Sequence, residues 1–138
     1  MDFSYVLTPF LAWFIAGLSK FLINSIKAKQ LAFGLIGYGG LPSNHSAIVT
    51  SMSALIGLKE GIENPAFGIA ITFAFIVILD AKGLRWQLGE HATAINKLAV
   101  GVACHQALRE RMGHTRLEIA AGIVVGITVA AAIDAFFV

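Results

Sequence analysis

Two histidines open apolar runs in this chain, His45 in "LPSNHSAIV" (Leu41–Val49) and His114 in "GHTRLEIAAG" (Gly113–Gly122). His114 and Glu118 are four residues apart. On a helix the carboxylate can accept a hydrogen bond from one imidazole nitrogen and leave the other as a nucleophile. His45 follows Pro42, which stops the incoming chain, and either Ser43 or Asn44 can N-cap the helix behind it. A helix N-terminus attracts phosphate or carboxylate, and a histidine in its first turn can protonate an anionic ligand's leaving oxygen. Lys20 lies inside an apolar run, where an ammonium is costly unless it faces a polar cavity or a partner. Lys20, Asn24 and Lys27 fall at i, i+4 and i+7, on one helical face, whereas Lys29 reads as a lysine reaching for lipid headgroups. Between the two histidines, "DAKGLRWQLGEHATAIN" (Asp80–Asn96) supplies Arg85, a planar fork suited to phosphate oxygens. Asp80 either orients Arg85 or Lys82 or simply marks the end of an apolar run. Each feature alone has a plain structural reading as a cap or a helix pair; three together argue for a site.

The elements that must position these groups are membrane helices. Of 138 residues, 57% are apolar and 13% charged, and the mean hydropathy is +0.79, outside the range of soluble domains. No linker, charge block or low-complexity tract divides the chain, so residues 1–138 read as one domain. The first apolar run is too long for a cleavable signal, Asp2 stands where positive charge is expected, and no small-residue cleavage site follows. A lone cysteine, Cys104, excludes an internal disulfide and a cysteine-based metal cluster and reads as a small buried residue. Three stretches are apolar enough to cross, about Tyr5–Ile26, Pro65–Leu79 and Leu117–Val138, and a shorter fourth, Asn44–Leu58, is richer in Ser, Thr and Gly. The two middle segments span only roughly 22 Å, against a hydrocarbon core of roughly 30 Å. The turn "LKEGIENP" (Leu58–Pro65) predicts a tight hairpin between them.

From Ala81 to Gly113 charges are mixed among apolar residues, and Ala92, Ile95, Leu98, Ala99, Val102 and Ala103 recur at helical spacing. That stripe predicts an amphipathic helix lying at the interface. The fold class expected is therefore all-α: a membrane bundle of about four spanning helices plus one interfacial helix. If the fifth helix crossed instead, His45 and His114 would lie on opposite sides. Eight of the ten Lys and Arg fall between residues 27 and 45 or 80 and 117, with Lys20 inside the first span and Lys59 alone on the other side. The positive-inside rule makes this polar face cytoplasmic, with both termini outside. The membrane expected is the bacterial inner membrane.

At this point the motifs carry a resemblance. Pro42-Ser43-Asn44-His45, then His114-Thr115-Arg116-Leu117-Glu118 and Gly122, resemble the type 2 phosphatidic acid phosphatase and vanadium haloperoxidase superfamily. Gly-Gly-x-Pro-Ser-x-His-Ser-Ala, the Asp-Ala-x-Gly-x-Arg stretch from Asp80 to Arg85 and the Ile-Asn-Lys around Asn96 are similar to its small, divergent membrane branch over nearly the whole chain. The resemblance implies metal-independent phosphoryl transfer through phosphohistidine. His114 matches the nucleophile, Glu118 its orienting acid, His45 the general acid, Ser43 and Asn44 the phosphate cradle, and Lys20 the lysine of the first motif. Departures are Lys27-Ala28 in place of Arg-Pro, Asn44 for glycine, Glu118 for aspartate, and Leu108 where an arginine is expected. Lys27 can bind phosphate as a point charge, and Arg85 or Arg109 can supply the guanidinium. Asp80 and Asn96 are support candidates.

The function expected is a lipid phosphatase acting on a phosphomonoester or diphosphate such as phosphatidate, phosphatidylglycerophosphate or a polyprenyl phosphate. It needs no metal or cofactor, and no nucleic-acid partner is expected. Four helices are few to enclose a site, so a homodimer is expected. One rival is a non-enzymatic protein that binds anionic lipid headgroups in the same cationic pocket. A second is a metal site built from His45, His91, His114 and Glu118, in which only His114–Glu118 has ligand-like spacing. A haloperoxidase fits less well, because a membrane-embedded site suits a lipid better than a peroxide and a halide. His91 and His105 are unassigned.

Overall fold

The computed structural model describes residues 3–29, 31, 40–102 and 106–137. Five helices follow in order: α1 (Ser4–Ala28), α2 (Asn44–Lys59), α3 (Pro65–Lys82), α4 (Leu84–Leu98) and α5 (Arg116–Phe136), with no strand among the described residues. The protein is an all-α membrane bundle. Asp2, Cys104 and His105, with all of the "GYGG" approach to α2 except Gly40, lie outside the described residues.

Three runs, Ser4–Ala28, Pro65–Leu98 and Arg116–Phe136, are long and apolar enough to cross a membrane. The fourth crossing expected from sequence is a different kind of element. At 16 residues α2 measures about 24 Å, short of the roughly 30 Å core, and it sits in the middle of the bundle against α1, α3 and α5. Its Ser46, Ala47, Val49, Ser51, Ser53 and Leu55 are buried. The hydroxyls of Ser51 and Ser53 donate to the carbonyls of Ile48 (2.8 Å) and Val49 (2.9 Å), so small polar residues pack against neighbouring helices without a polar cost. α3 is longer than its sequence suggested, because the helix continues past Leu79 to Lys82.

Small residues set the spacing. A Cβ on Gly122 of α5 would overlap the Ser43 carbonyl and lie 2.9 Å from Ser46 Cβ, and one on Gly126 would lie 2.6 Å from Ala47 O. The Gly122-x3-Gly126 pair thus lets α5 lie directly on α2, as small-x3-small pairs do in membranes. On α1 the buried residues are Ser4, Thr8, Ala12 and Ala16, one every four positions. The same stripe leads to half-buried Lys20 and Asn24, so the face that packs α1 into the bundle also brings in its lysine.

The helices alternate in direction. At one end Tyr5 Oη donates to Glu60 Oε1 at 2.6 Å, and Lys59 Nζ donates to Phe137 O at 3.0 Å while lying over the Tyr5 ring. The predicted hairpin forms between α2 and α3: Gly61 takes φ +85° and Asn64 Oδ1 caps α3 through Ala66 N at 2.9 Å. At the other end the C-termini of α1 and α3 meet the N-termini of α2 and α5, which is where the candidate residues lie.

The expected interfacial helix is shorter than its periodicity. α4 stops at Leu98 because Gly101 adopts φ +87°, leaving Ala99 and Val102 outside it, and Ala103 is not among the described residues. Only Gly89 and Ala92 of α4 are buried; Ile95 and Leu98 are exposed. The chain then returns along α4, where Asn96 Nδ2 donates to Leu108 O and Glu110 Oε1 and Leu108 N donates to Asn96 Oδ1, each at 2.8 Å. Gly89 leaves room for the Glu110 carbonyl.

Candidate active site

The returning segment delivers His114 to the head of α5. Gly113 turns with φ +84°, where a Cβ would lie 3.1 Å from Trp86 N, and His114 N donates to Ala81 O at 3.0 Å. Thr115 then starts the helix as half of a capping box: Glu118 N donates to Thr115 Oγ1 at 3.2 Å, and Thr115 N donates to Glu118 Oε2 at 3.1 Å. That same carboxylate oxygen lies 3.0 Å from His114 Nδ1. A carboxylate only accepts, so Nδ1 carries the proton and Nε2 of the neutral ring keeps its lone pair. Glu118 is 8% exposed, so the pair is shielded from water.

α2 enters beside it. Ser43 is fully buried, its N–H donates to Glu118 O at 2.9 Å, and its hydroxyl oxygen accepts from Ser46 N and Ser46 Oγ. Ser43 rather than Asn44 is therefore the cap, and it ties the α2 start to the α5 start. Asn44 is half-buried, and its Oδ1 is buried with no hydrogen-bond partner among the described residues. Next in the chain, the His45 ring lies 6.3 Å from the His114 ring, centroid to centroid. That equals about two hydrogen-bond reaches of ~3 Å, so one small group can touch both.

The third contribution comes from the α3–α4 corner. Gly83 breaks the helix between Lys82 and Leu84, which folds Arg85 back so that its Nε donates to Asp80 Oδ2 at 3.0 Å. Its Nη1 lies 3.3 and 3.5 Å from the two ring nitrogens of His45. Since a guanidinium only donates, a His45 nitrogen accepts. His45 lies outside the three long spans, and its pKa is held below the ordinary histidine value, first by burial and then by Arg85, His114 and Lys20, with Asp80 opposing. Lys20 is within electrostatic reach of both Glu118 and His45. Two basic side chains, Lys20 and Arg85, thus stand near two carboxyl groups, Asp80 and Glu118.

The structure thus brings together Lys20, His45, Asp80, Arg85, His114 and Glu118, with Asn44 alongside. It does not bring the other candidates in. Ser43 is a buried cap beneath the pocket, Lys27 is exposed in the last turn of α1, and exposed Arg109 donates from Nε to Arg111 O at 3.2 Å. Asn96 clamps the 108–110 segment, a role its place in a helical sequence did not reveal. His91 is exposed on α4. Among the described residues no three His, Cys, Asp or Glu side chains gather as a metal site.

Residues 1–129 match the Divergent PAP2 family, and the chain belongs to that family. It is also similar to the uncharacterized membrane protein YuiD of Bacillus subtilis (strain 168), with 31% identity over 96% of this chain and 94% of that protein. No solved structure matches. The family resemblance drawn from the Pro-Ser-Asn-His and His-Thr-Arg-Leu-Glu motifs is borne out.

Proposed function

We propose that the protein is a lipid phosphatase that works through a phosphohistidine. The observation that carries this reading is the His114–Glu118 pair facing His45 at 6.3 Å, flanked by Arg85 and Lys20. His114 Nε2 attacks phosphorus and the bond from phosphorus to the lipid oxygen breaks. The lipid oxygen takes its proton from protonated His45. Glu118 stabilises the imidazolium character that develops on His114. In the second half, water attacks phosphorus, neutral His45 accepts its proton, and the N–P bond breaks to release phosphate and free His114. Arg85 and Lys20 offset charge on the transferring group. The substrate class is a lipid phosphomonoester or diphosphate, and the polar face that carries most of the Lys and Arg is assigned to the cytoplasm.

The exposed positions of Lys27 and Arg109 leave two fixed cations at the pocket and favour a second reading, a non-enzymatic holder of anionic headgroups. One experiment separates the two. Phosphate release from a panel of lipid phosphates is measured in EDTA with wild-type, His114→Ala and exposed Lys97→Ala proteins. Release that survives EDTA and Lys97→Ala and vanishes with His114→Ala supports the phosphatase. A folded protein that binds these lipids and releases nothing refutes it and leaves the headgroup holder.

A further inference from the structure

An apolar groove of about 290 Å³ lies between α1 and α5, with Leu11 and Ile15 on one wall and Val124 and Thr128 on the other, over Val129 and Ile133. Leu11, Ile15 and Val124 are 38%, 40% and 62% exposed, so the groove opens sideways toward lipid. Thr128 turns its hydroxyl onto the Val124 carbonyl at 2.8 Å, which leaves the wall apolar.

The groove shares its two helices with the candidate site. Its upper end lies at Val124, six residues past Glu118, and at Ile15, five before Lys20, which is about 9 and 7.5 Å along the helix axes. From Val124 to Ile133 it runs about 13 Å, close to one leaflet, or half of the roughly 30 Å hydrocarbon core. A neighbouring helix, about 10 Å across with its side chains, would fill roughly 1,000 Å³ over that length and overfills the groove; a hydrocarbon chain does not.

We infer that this groove holds the hydrocarbon chain of the lipid whose phosphate lies between His45 and His114, so that substrates enter between α1 and α5 from one leaflet. The inference rests on the site assignment under Proposed function. It makes Leu11, Ile15, Val124 and Thr128 the residues that set chain preference.

The test uses the full chain in lipid nanodiscs with two probes carrying the same mid-chain photoactivatable group, a phosphatidate and a diacylglycerol. The phosphatidate is expected to label residues 11–15 and 124–133 several-fold more than the exposed face of α3 around Ile69, Phe73 and Ile76, while the diacylglycerol labels both alike. Thr128→Trp, an exposed position, should reduce the groove labelling several-fold. It should also raise KM several-fold more for a long-chain substrate than for a short-chain soluble phosphate. Equal phosphatidate labelling of α3 and the groove overturns the inference, even where phosphate release is robust. Groove-selective labelling without any phosphate release sustains the chain site and removes only the hydrolytic reading.

Discussion

Gly122 couples packing to chemistry at a single atom. In Gly122→Ala the new Cβ meets the Ser43 carbonyl and lies 2.9 Å from Ser46 Cβ, against ordinary contacts of 3.4 Å or more. The start of α2 must therefore move away from α5 by at least 0.5 Å, the difference between those two distances. Overpacking of this kind costs about 1–3 kcal/mol, and the gain in helix propensity from Gly to Ala returns about 1 kcal/mol. The net loss of stability is roughly 0–2 kcal/mol. Activity is the more sensitive quantity. Ser43 N is bonded to Glu118 O and His45 is two residues on, so the displacement changes the separation of the two histidines directly. A misplacement near 1 Å at a reacting centre costs roughly 10²-fold.

The comparison variant is Gly68→Ala on α3, where nothing lies within 4 Å of the new Cβ. That change should stabilise by up to about 1 kcal/mol and leave activity alone. Thermal unfolding in detergent and phosphate release are measured on both. The reasoning predicts a rise in Tm with normal release for Gly68→Ala, and an unchanged or lowered Tm with release reduced at least tenfold for Gly122→Ala. Two variants that behave alike in both assays would refute it.

Glu118→Gln retains an oxygen that can accept from His114 Nδ1 and Thr115 N but removes the charge. Because hydrogen bonds to a charged group are worth about 1.5–3 kcal/mol against about 1 for neutral ones, phosphate release should fall by roughly 2- to 30-fold with the fold retained, and an unchanged rate would count against an orienting carboxylate. Asn96→Ala removes three bonds to residues 108–110, so hydrogen exchange at the Leu108 amide should speed up at least tenfold while α2 and α5 stay protected; uniform acceleration across the bundle would contradict a local clamp. The lowered pKa of His45 keeps it neutral in the empty pocket at pH 7, and a phosphate dianion raises that pKa by bringing negative charge. Inhibition by sulfate, which stays a dianion across this range, should therefore strengthen as pH falls, by up to about tenfold per unit between the bound and free pKa values, level off below the free value and lose this slope in His45→Gln. Inhibition that strengthens with rising pH would reverse the assigned sign.

Much of this arrangement is legible in the sequence because helix ends are written in local residues. The His114–Glu118 spacing, the Pro42–His45 lead-in and the turn around Gly61 and Asn64 each depend on a few neighbours. What local pattern leaves open is where a face ends. Lys20 and Lys27 share a helical face, yet seven residues are about 10 Å of axis, enough to put one in the bundle and the other in the open. The apolar stripe of α4 runs on past Leu98 in the sequence, but a positive φ at Gly101 ends the helix. Asp80 and Arg85 are five apart, a spacing no regular helix pairs; they meet because Gly83 breaks the run. The Gly122-x3-Gly126 spacing was readable as a close-packing signal, although which helix fills the gap depends on the tertiary fold.

The balance of charge explains why so few cations reach the pocket. A lysine or arginine left uncompensated at membrane depth is expensive, and here each of the two has a carboxylate within reach, Asp80 for Arg85 and Glu118 for Lys20. An additional arginine at position 108, or Arg109 turned inward, would need a further carboxylate or a permanently bound anion. The positive ends of α2 and α5 supply attraction for phosphate without that burden, since a helix terminus brings a partial charge of about half a unit and no ion to desolvate. On the proposed reading, further positive charge arises only when phosphate and a proton arrive together, on His45. The exposed positions of Lys27 and Arg109 are consistent with a site that gathers few fixed cations, and on the proposed reading its attraction for phosphate comes from two helix ends and one titrating ring.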